Sequence, residues 1–269
     1  MADHDFPVID LSPFFTTPGA GDDLGAAKRR QEVIRRIRGA CTSAGIFLIV
    51  NHIMERTFGY FQKTAALIET LLNDALGLPP DLLHQYNSNR QSDRMIAYRY
   101  FKANHVETKK IMMIGSYPHK DPNLFTLLLQ DDVGGLEFLR NDQWIPVTLL
   151  PHSLVVNVGD VLQVLSNNEF KSVTHRVVSP NEKDRYSCAF GCQIGRDKWV
   201  EPLPELTSLI KAAPKFKGFR HGEFLQLLVA SYKPTLDPND TFTLMDVVAN
   251  HYALPTSKDL PDTTHQIEI

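Results

Sequence analysis

At 269 residues the chain can bury a sizeable core, and its formal net charge of −3 gives it no basic field for nucleic acid or an anionic membrane. Hydrophobic residues at 43% and charged residues at 22% are the proportions of a soluble globular protein, and no apolar run approaches the roughly 20 residues that span a bilayer. Three cysteines, Cys41, Cys188 and Cys192, are an odd count without CxxC spacing, which suits a reducing compartment better than a disulfide framework or structural zinc.

The opening MADHDFPVIDL has no basic stretch ahead of an apolar core, so the expected compartment is the cytoplasm. Residues 6–10 read as a short strand and lead into a loop rich in Pro and Gly. Residues 26–44 should be helical, with Ile34, Ile37, Cys41 and Ala44 on the apolar stripe. The basic residues of that segment, from Lys28 to Arg38, read as the solvated face of an amphipathic helix, given the acidic whole. Residues 46–50 are an apolar run of strand length. Phe58, Phe61, Ala65, Ile68, Leu71 and Leu72 then recur at helical spacing up to the Gly77, Pro79 and Pro80 breaker, with a turn or two of helix from Asp81. Residues 95–101 alternate as a strand, placing Tyr98 and Tyr100 on one face.

From about 111 to 194 the texture changes to short β-rich runs. Turn signals separate them, among them Gly134-Gly135, Asn141-Asp142, Gly159-Asp160 and Asn167-Asn168. Closely spaced strands of this kind argue for a sandwich or barrel, not βαβ units. The tail returns to helix, with Phe224, Leu225, Leu228 and Val229 on one stripe and residues 245–252 forming another. The expected fold is mainly β with flanking α: a double-stranded β-helix (jelly-roll) core braced by N- and C-terminal helices. Residues 1–92 would be an N-terminal helical and strand region packing on the core. Residues 93–269 would be the jelly-roll domain with its C-terminal helices.

Within the β-rich part, His119 and Asp121 sit at i and i+2, which on an extended strand points both side chains to one face. His175 lies in a second β-branched run. Two histidines and one carboxylate on one face of a metal, the other positions open, suit non-haem iron(II). Ten residues on, Arg185 and Ser187 repeat the i, i+2 spacing, and a guanidinium fork beside a hydroxyl can grip a carboxylate. Against this, ten histidines and many aspartates make an HxD with a distant His easy to find, and a polar turn is the plainer reading of residues 119–123. Rival histidines fit worse. His221 and Glu223 fall in an expected helix, where i and i+2 do not face each other, and His84 and His105 lack a carboxylate partner in register. No GxSxG, P-loop, GxGxxG or HExxH is present.

The blocks FPVIDLS, GACTSAGIFLIVNH, HKDPNLFTLLLQDDVGGLEF, QWIPV, SLVVNVGDVLQVLSNNEFKSVTHRVV, RYS and KFKGFRHGEFL occur in order along most of the chain. In them the sequence resembles the plant Fe(II)/2-oxoglutarate-dependent dioxygenases of specialised and hormone metabolism. The resemblance implies that His119, Asp121 and His175 are catalytic iron ligands. It also implies that Arg185 and Ser187 clasp the distal carboxylate of 2-oxoglutarate, with Tyr100 at the matching tyrosine position. The implied cofactors are Fe(II), 2-oxoglutarate as co-substrate and O2, with ascorbate as a candidate reductant. The implied partner is a small-molecule substrate such as a flavonoid, hormone or alkaloid, to be hydroxylated, desaturated or demethylated. No nucleic-acid or membrane partner is implied, and the oligomeric state is open. Two alternatives stand beside this: an iron oxidase of the same fold that uses no 2-oxoglutarate, and an impaired member whose shortened N-terminal half no longer encloses substrate. The chain departs from the family pattern in that shortening, in Tyr98 for the usual Asn, in Ile53 for Gly and in Lys120 for Thr. Tyr98 and Phe190 are candidates for the pocket wall, each equally readable as core.

Overall fold

In a computed structural model the chain is described over residues 8–10, 23–43, 48–50, 53–87, 90–102, 114–147, 153–231 and 247–255. It divides into two compact units, Met1–Thr64 and Ala65–Ile269.

In the first unit, β1 (Val8–Asp10) pairs in parallel with β2 (Leu48–Val50), Val8 opposite Leu48. Parallel neighbours need a long crossover, and α1 (Asp23–Ser43) lies within it. The buried positions of α1 are Ala26 and Val33, with Ile37 half-buried, a spacing of two turns and then one. Ile34, expected on that stripe, is 49% exposed. Successive helical residues point about 100° apart, so burying Val33 turns Ile34 outward. The side chains of Cys41 and Ala44 lie outside the described residues. Lys28, Arg29, Arg35 and Arg36 are exposed, and Arg35 pairs with Glu32 one turn away. Such a surface pair contributes little to stability.

α2 (Ile53–Ala75) begins in the first unit and ends in the second. Its later turns bury Ala65, Glu69 and Asn73, and buried Leu76 follows three residues on. Leu71, expected to be buried, is 52% exposed. Asn73 closes the turn after the helix: its amide donates to the carbonyls of Leu78 and Pro79, and its oxygen accepts from Leu83 N–H. Glu69 takes Arg90 and also His84, whose Nδ1 lies 3.2 Å from Oε2. His84 therefore has a carboxylate partner, contrary to expectation. It sits in a 3₁₀ turn (His84–Tyr86) that folds back on α2, a contact no local spacing reveals.

The core of the second unit is two antiparallel four-stranded sheets. Its strands are β3 (Arg94–Tyr100), β4 (Ile114–His119), β5 (Phe125–Gln130), β6 (Leu136–Arg140), β7 (Gln143–Pro146), β8 (Val155–Val158), β9 (His175–Val178) and β10 (Arg185–Cys192). One sheet runs β3-β10-β5-β8 and the other β4-β9-β6-β7. Neighbours are mostly non-consecutive, which is the wrapped connectivity of a double-stranded β-helix. The expected jelly-roll is therefore what the chain forms. Asn141 and Asp142, both at positive φ (49° and 59°), make the two-residue β6–β7 hairpin.

Residues 160–165 read in sequence as one more β-rich run, but they form the helix α3 (Asp160–Leu165). Val161, Leu162, Val164 and Leu165 are all buried. A mostly apolar run of six residues is too short for its period to separate helix from strand. After it come β11 (Trp199–Val200), α4 (Pro204–Leu209), β12 (Phe219–Arg220) and α5 (His221–Ser231). α5 buries Phe224, while Val229, expected on the same stripe, is 76% exposed. A π-helical turn, Val248–Tyr252, stands where a helix was expected, and Tyr252 packs on Phe219 with ring centroids 4.4 Å apart. No helix among the described residues is long and apolar enough to cross a membrane.

Candidate metal centre

The site begins with a strand register. β4 ends on His119, β9 begins on His175, and the two residues are cross-strand partners with ring centroids 4.3 Å apart. Each imidazole donates Nδ1–H to a carbonyl two residues upstream, His119 to Tyr117 at 2.7 Å and His175 to Val173 at 3.1 Å. Only a donor can serve a carbonyl, so these bonds fix the tautomer and leave the Nε2 lone pairs free. Those Nε2 atoms lie 3.8 Å and 3.7 Å from Asp121 Oδ1. Burial and the neighbouring His175 push the His119 imidazole below its ordinary value, with Asp121 pulling the other way. The neutral ring this favours is the form that ligates a cation.

Asp121 is aimed by its backbone. Its carbonyl accepts Asp160 N–H at 2.8 Å, and Asn123 carbonyl accepts Val161 N–H at 3.1 Å, so the first turn of α3 clamps residues 121–123. Gly159 makes this approach possible: a Cβ there would stand 2.1 Å from the Asn123 carbonyl oxygen. On the far side His221 Nε2–H donates to Pro122 carbonyl at 3.2 Å. The outcome is a carboxylate whose Oδ2 is buried and unpartnered. An orphaned buried carboxylate oxygen is expensive, and a cation between the three side chains would satisfy it. One donor atom from each of His119, Asp121 and His175 falls within 4.8 Å of the others. The donor set of two imidazoles and one carboxylate fits iron(II).

The second sheet supplies a cation. Arg185 is fully buried on β10, its guanidinium 4.8 Å from the centre of the Tyr100 ring. Nε–H donates to Gly134 carbonyl, Nη1 to Ser187 Oγ at 3.1 Å and Nη2 to Gln130 Oε1 at 2.9 Å. These acceptors are all neutral, and no ion pair joins Arg185 to a carboxylate among the described residues. Burial pulls the guanidinium below its ordinary value, opposed by Tyr100 and Asp131. A buried, uncompensated guanidinium fits the distal carboxylate of a dicarboxylate such as 2-oxoglutarate.

His119, Asp121, His175, Tyr100, Arg185 and Ser187 line one cavity of 80 Å³. All six residues singled out from sequence therefore meet in one place. Tyr98 is in the same wall, whereas Phe190 is fully buried core. A second cavity of 340 Å³, mostly apolar, shares Leu136, Asn157 and His175 with the first. Sequence reasoning passed over Gln130 and the carbonyls of Tyr117, Val173 and Gly134. Gln130 carries one faint signal, as the first polar residue after the apolar run Leu127–Leu129, and its role appears only when β5 is set against β10.

Residues 92–194 match the family model of the 2OG-Fe(II) oxygenase superfamily. The chain carries a 2OG-Fe(II) oxygenase domain. Curated plant relatives include Jasmonate-induced oxygenase 2 of Arabidopsis thaliana, 36% identical over 148 residues, which are 54% of this chain and 39% of that protein. Gibberellin 20 oxidase 2 of Oryza sativa subsp. indica is 37% identical over 131 residues, 48% of this chain and 32% of that protein. The 1-aminocyclopropane-1-carboxylate oxidase of Dendrobium crumenatum is 32% identical over 202 residues, 73% of this chain and 63% of that protein. The chain thus spans less than two thirds of the length of each of these relatives. Among solved structures, that of JOX2 in complex with 2OG, Fe and JA matches with a TM-score of 0.58 at 30% identity. The match covers 65% of this chain and 51% of that one.

Proposed function

We propose that the chain is an Fe(II)- and 2-oxoglutarate-dependent dioxygenase that hydroxylates, desaturates or demethylates a small plant metabolite. His119, Asp121 and His175 hold the metal, Arg185 and Ser187 hold the distal carboxylate of 2-oxoglutarate, and Tyr100 packs against the guanidinium. All of these residues fall within 93–269, the part expected from sequence to be the catalytic domain. Bound iron(II) with 2-oxoglutarate and O2 supplies the oxidising power to remove hydrogen from a C–H bond. The protein's share is geometry. The Nδ1–H bonds aim both imidazoles, the α3 clamp aims Asp121, and the buried fork sets how deep the co-substrate sits. A reducing compartment such as the cytoplasm suits the buried free thiol of Cys192, which burial pushes far above its ordinary value.

The observation carrying this reading is a buried cation, without a carboxylate partner among the described residues, in the same cavity as a two-imidazole, one-carboxylate cluster. Its test is anaerobic: iron(II) plus 2-oxoglutarate should give a weak visible charge-transfer band, and Asp121→Ala should abolish it. A folded, iron-loaded wild type without the band overturns the proposal. The similarity to a 1-aminocyclopropane-1-carboxylate oxidase supports a second reading, an iron oxidase that does not consume 2-oxoglutarate. Succinate formed one-for-one with product rules that out.

A further inference from the structure

The inward face of β3 carries Ile96, Tyr98 and Tyr100 at alternate positions, opposite Ala189, Ser187 and Arg185 of β10. These pairs form a graded ladder. At the inner end the Arg185 guanidinium lies against the Tyr100 ring. Tyr98 stacks next to Tyr100, ring centroids 5.9 Å apart and planes 27° from parallel. Tyr98 shares its cavity wall with His119 and Asp121, yet it is 40% exposed, and Ile96 one rung further out is 46% exposed.

Large apolar side chains exposed in series at the mouth of a polar cavity mark a surface meant to be covered. Among the described strands β3 is also an edge of its sheet, which leaves the ladder open to a ligand from one side. Three features narrow the occupant. Two rings already held near-parallel extend most favourably by a third ring, in offset or edge contact. The rungs at 96, 98 and 100 carry no charge, and the next inward-facing residue, Arg94, starts the strand roughly 13 Å beyond Tyr98 at about 3.3 Å per residue. The phenol of Tyr98 carries its proton at neutral pH, as a tyrosine hydroxyl ordinarily does, and can donate a hydrogen bond.

We propose that Tyr98 is the substrate platform of this site, stacking an uncharged aromatic ring of a phenolic or heteroaromatic small molecule beside the metal. The proposal rests on the metal-centre reading for the words "beside the metal" and on the β3 ladder for the rest. Tyr98 acts as a specificity-determining residue. It fixes which face of the ring looks toward His119 and Asp121, while its hydroxyl stays free to donate to a ring substituent.

The test uses the full chain, loaded anaerobically with iron(II) and 2-oxoglutarate, as wild type, Tyr98→Phe and Tyr98→Leu. Probes are 2-naphthol (neutral aromatic), 1-naphthoate (charged aromatic) and 2-decalol (neutral, saturated). Binding is read from quenching of naphthyl fluorescence, from displacement of 2-naphthol by 2-decalol, and from the change each probe makes in the visible band. Wild type should bind 2-naphthol more tightly than the other two probes. Tyr98→Leu should weaken it about 3- to 10-fold, the fold-change matching the worth of one aromatic pair, and Tyr98→Phe should stay within about 2-fold. The 2-oxoglutarate band should persist in all three proteins. Equal affinity in wild type and Tyr98→Leu, no saturable quenching in wild type, or a preference for 1-naphthoate or 2-decalol overturns the platform. Absence of the band with quenching intact overturns the metal reading instead and leaves the platform standing.

Discussion

Gln130 offers a sharp test of the anchor because one substitution should move stability and binding apart. Its Oε1 accepts from Arg185 Nη2 at 2.9 Å, on the rung where Gln130 faces Ser187. In Gln130→Glu a carboxylate stands where the amide oxygen was, and the buried guanidinium gains the counter-charge it lacks. The free protein should therefore melt no lower than wild type. An incoming 2-oxoglutarate must then share one guanidinium with a second carboxylate. At roughly 5 Å and an effective dielectric near 20, the two anions repel by about 3 kcal/mol. That is a weakening of about 200-fold in Kd. Titration calorimetry of 2-oxoglutarate into manganese(II)-loaded protein reads the effect, with metal affinity unchanged within a few-fold as the internal control. Gln130→Leu, which removes the acceptor without adding charge, should cost about 1 kcal/mol, or roughly 5-fold. A general folding defect lowers both stability and binding and cannot give this pattern. Wild-type affinity in a normally folded Gln130→Glu would refute Arg185 as the anchor.

Two further outcomes follow from the loop that aims Asp121. Gly159→Ala places a methyl 2.1 Å from the Asn123 carbonyl oxygen, so residues 121–123 or α3 must move by about an ångström. The expected loss is about 2–3 kcal/mol in denaturant unfolding, with weaker metal binding; a neutral result would show that α3 does not clamp the loop. His221 is held neutral by burial, below its ordinary value of 6.5. Below pH 6.5 the unfolded chain takes a proton that folded His221 refuses, so this stability is present above 6.5 and lost as pH falls toward the folded value. The stability gap between wild type and His221→Gln should therefore shrink from pH 7.5 to 5, by up to about 1.4 kcal/mol per pH unit. A gap that widens on acidification contradicts burial of the neutral ring.

What could be read without coordinates was whatever rests on local period and local turns. The i, i+2 pairs at 119/121 and 185/187 were legible because strand side chains alternate, so spacing alone gives a shared face. Asn141-Asp142 was legible because a two-residue hairpin wants positive φ at both positions, and both have it. The failures have the opposite character. Ile34 and Leu71 were apolar at roughly the right spacing, but one residue of phase separates core from solvent, and packing decides which. Residues 160–165 carry polar side chains only at Asp160 and Gln163, and six residues are too short a window for that spacing to separate α3 from a buried strand. His84 meets Glu69 across fifteen positions of chain, and Gln130 meets Arg185 across fifty-five. Both contacts exist only once the register between elements is set.

The same distinction explains how the site is built. Tyr100, Ser187 and Gln130 belong to the sheet of β10, while His119 and His175 belong to the sheet of β9, and no single strand carries both functions. The metal cluster holds an unpartnered carboxylate oxygen, and the other sheet holds a guanidinium that has no counter-ion among the described residues. Each is unfavourable when buried alone, and the two charges have opposite sign but face one cavity. A cation on the first and an anion reaching the second would relieve both at once and tie the sheets together through the ligand. Binding should therefore protect amides of β4, β9 and β10 together from hydrogen exchange. Metal alone should protect β4, β9 and the first turn of α3 that clamps residues 121–123, but not β10, because its three proposed ligands reach no further.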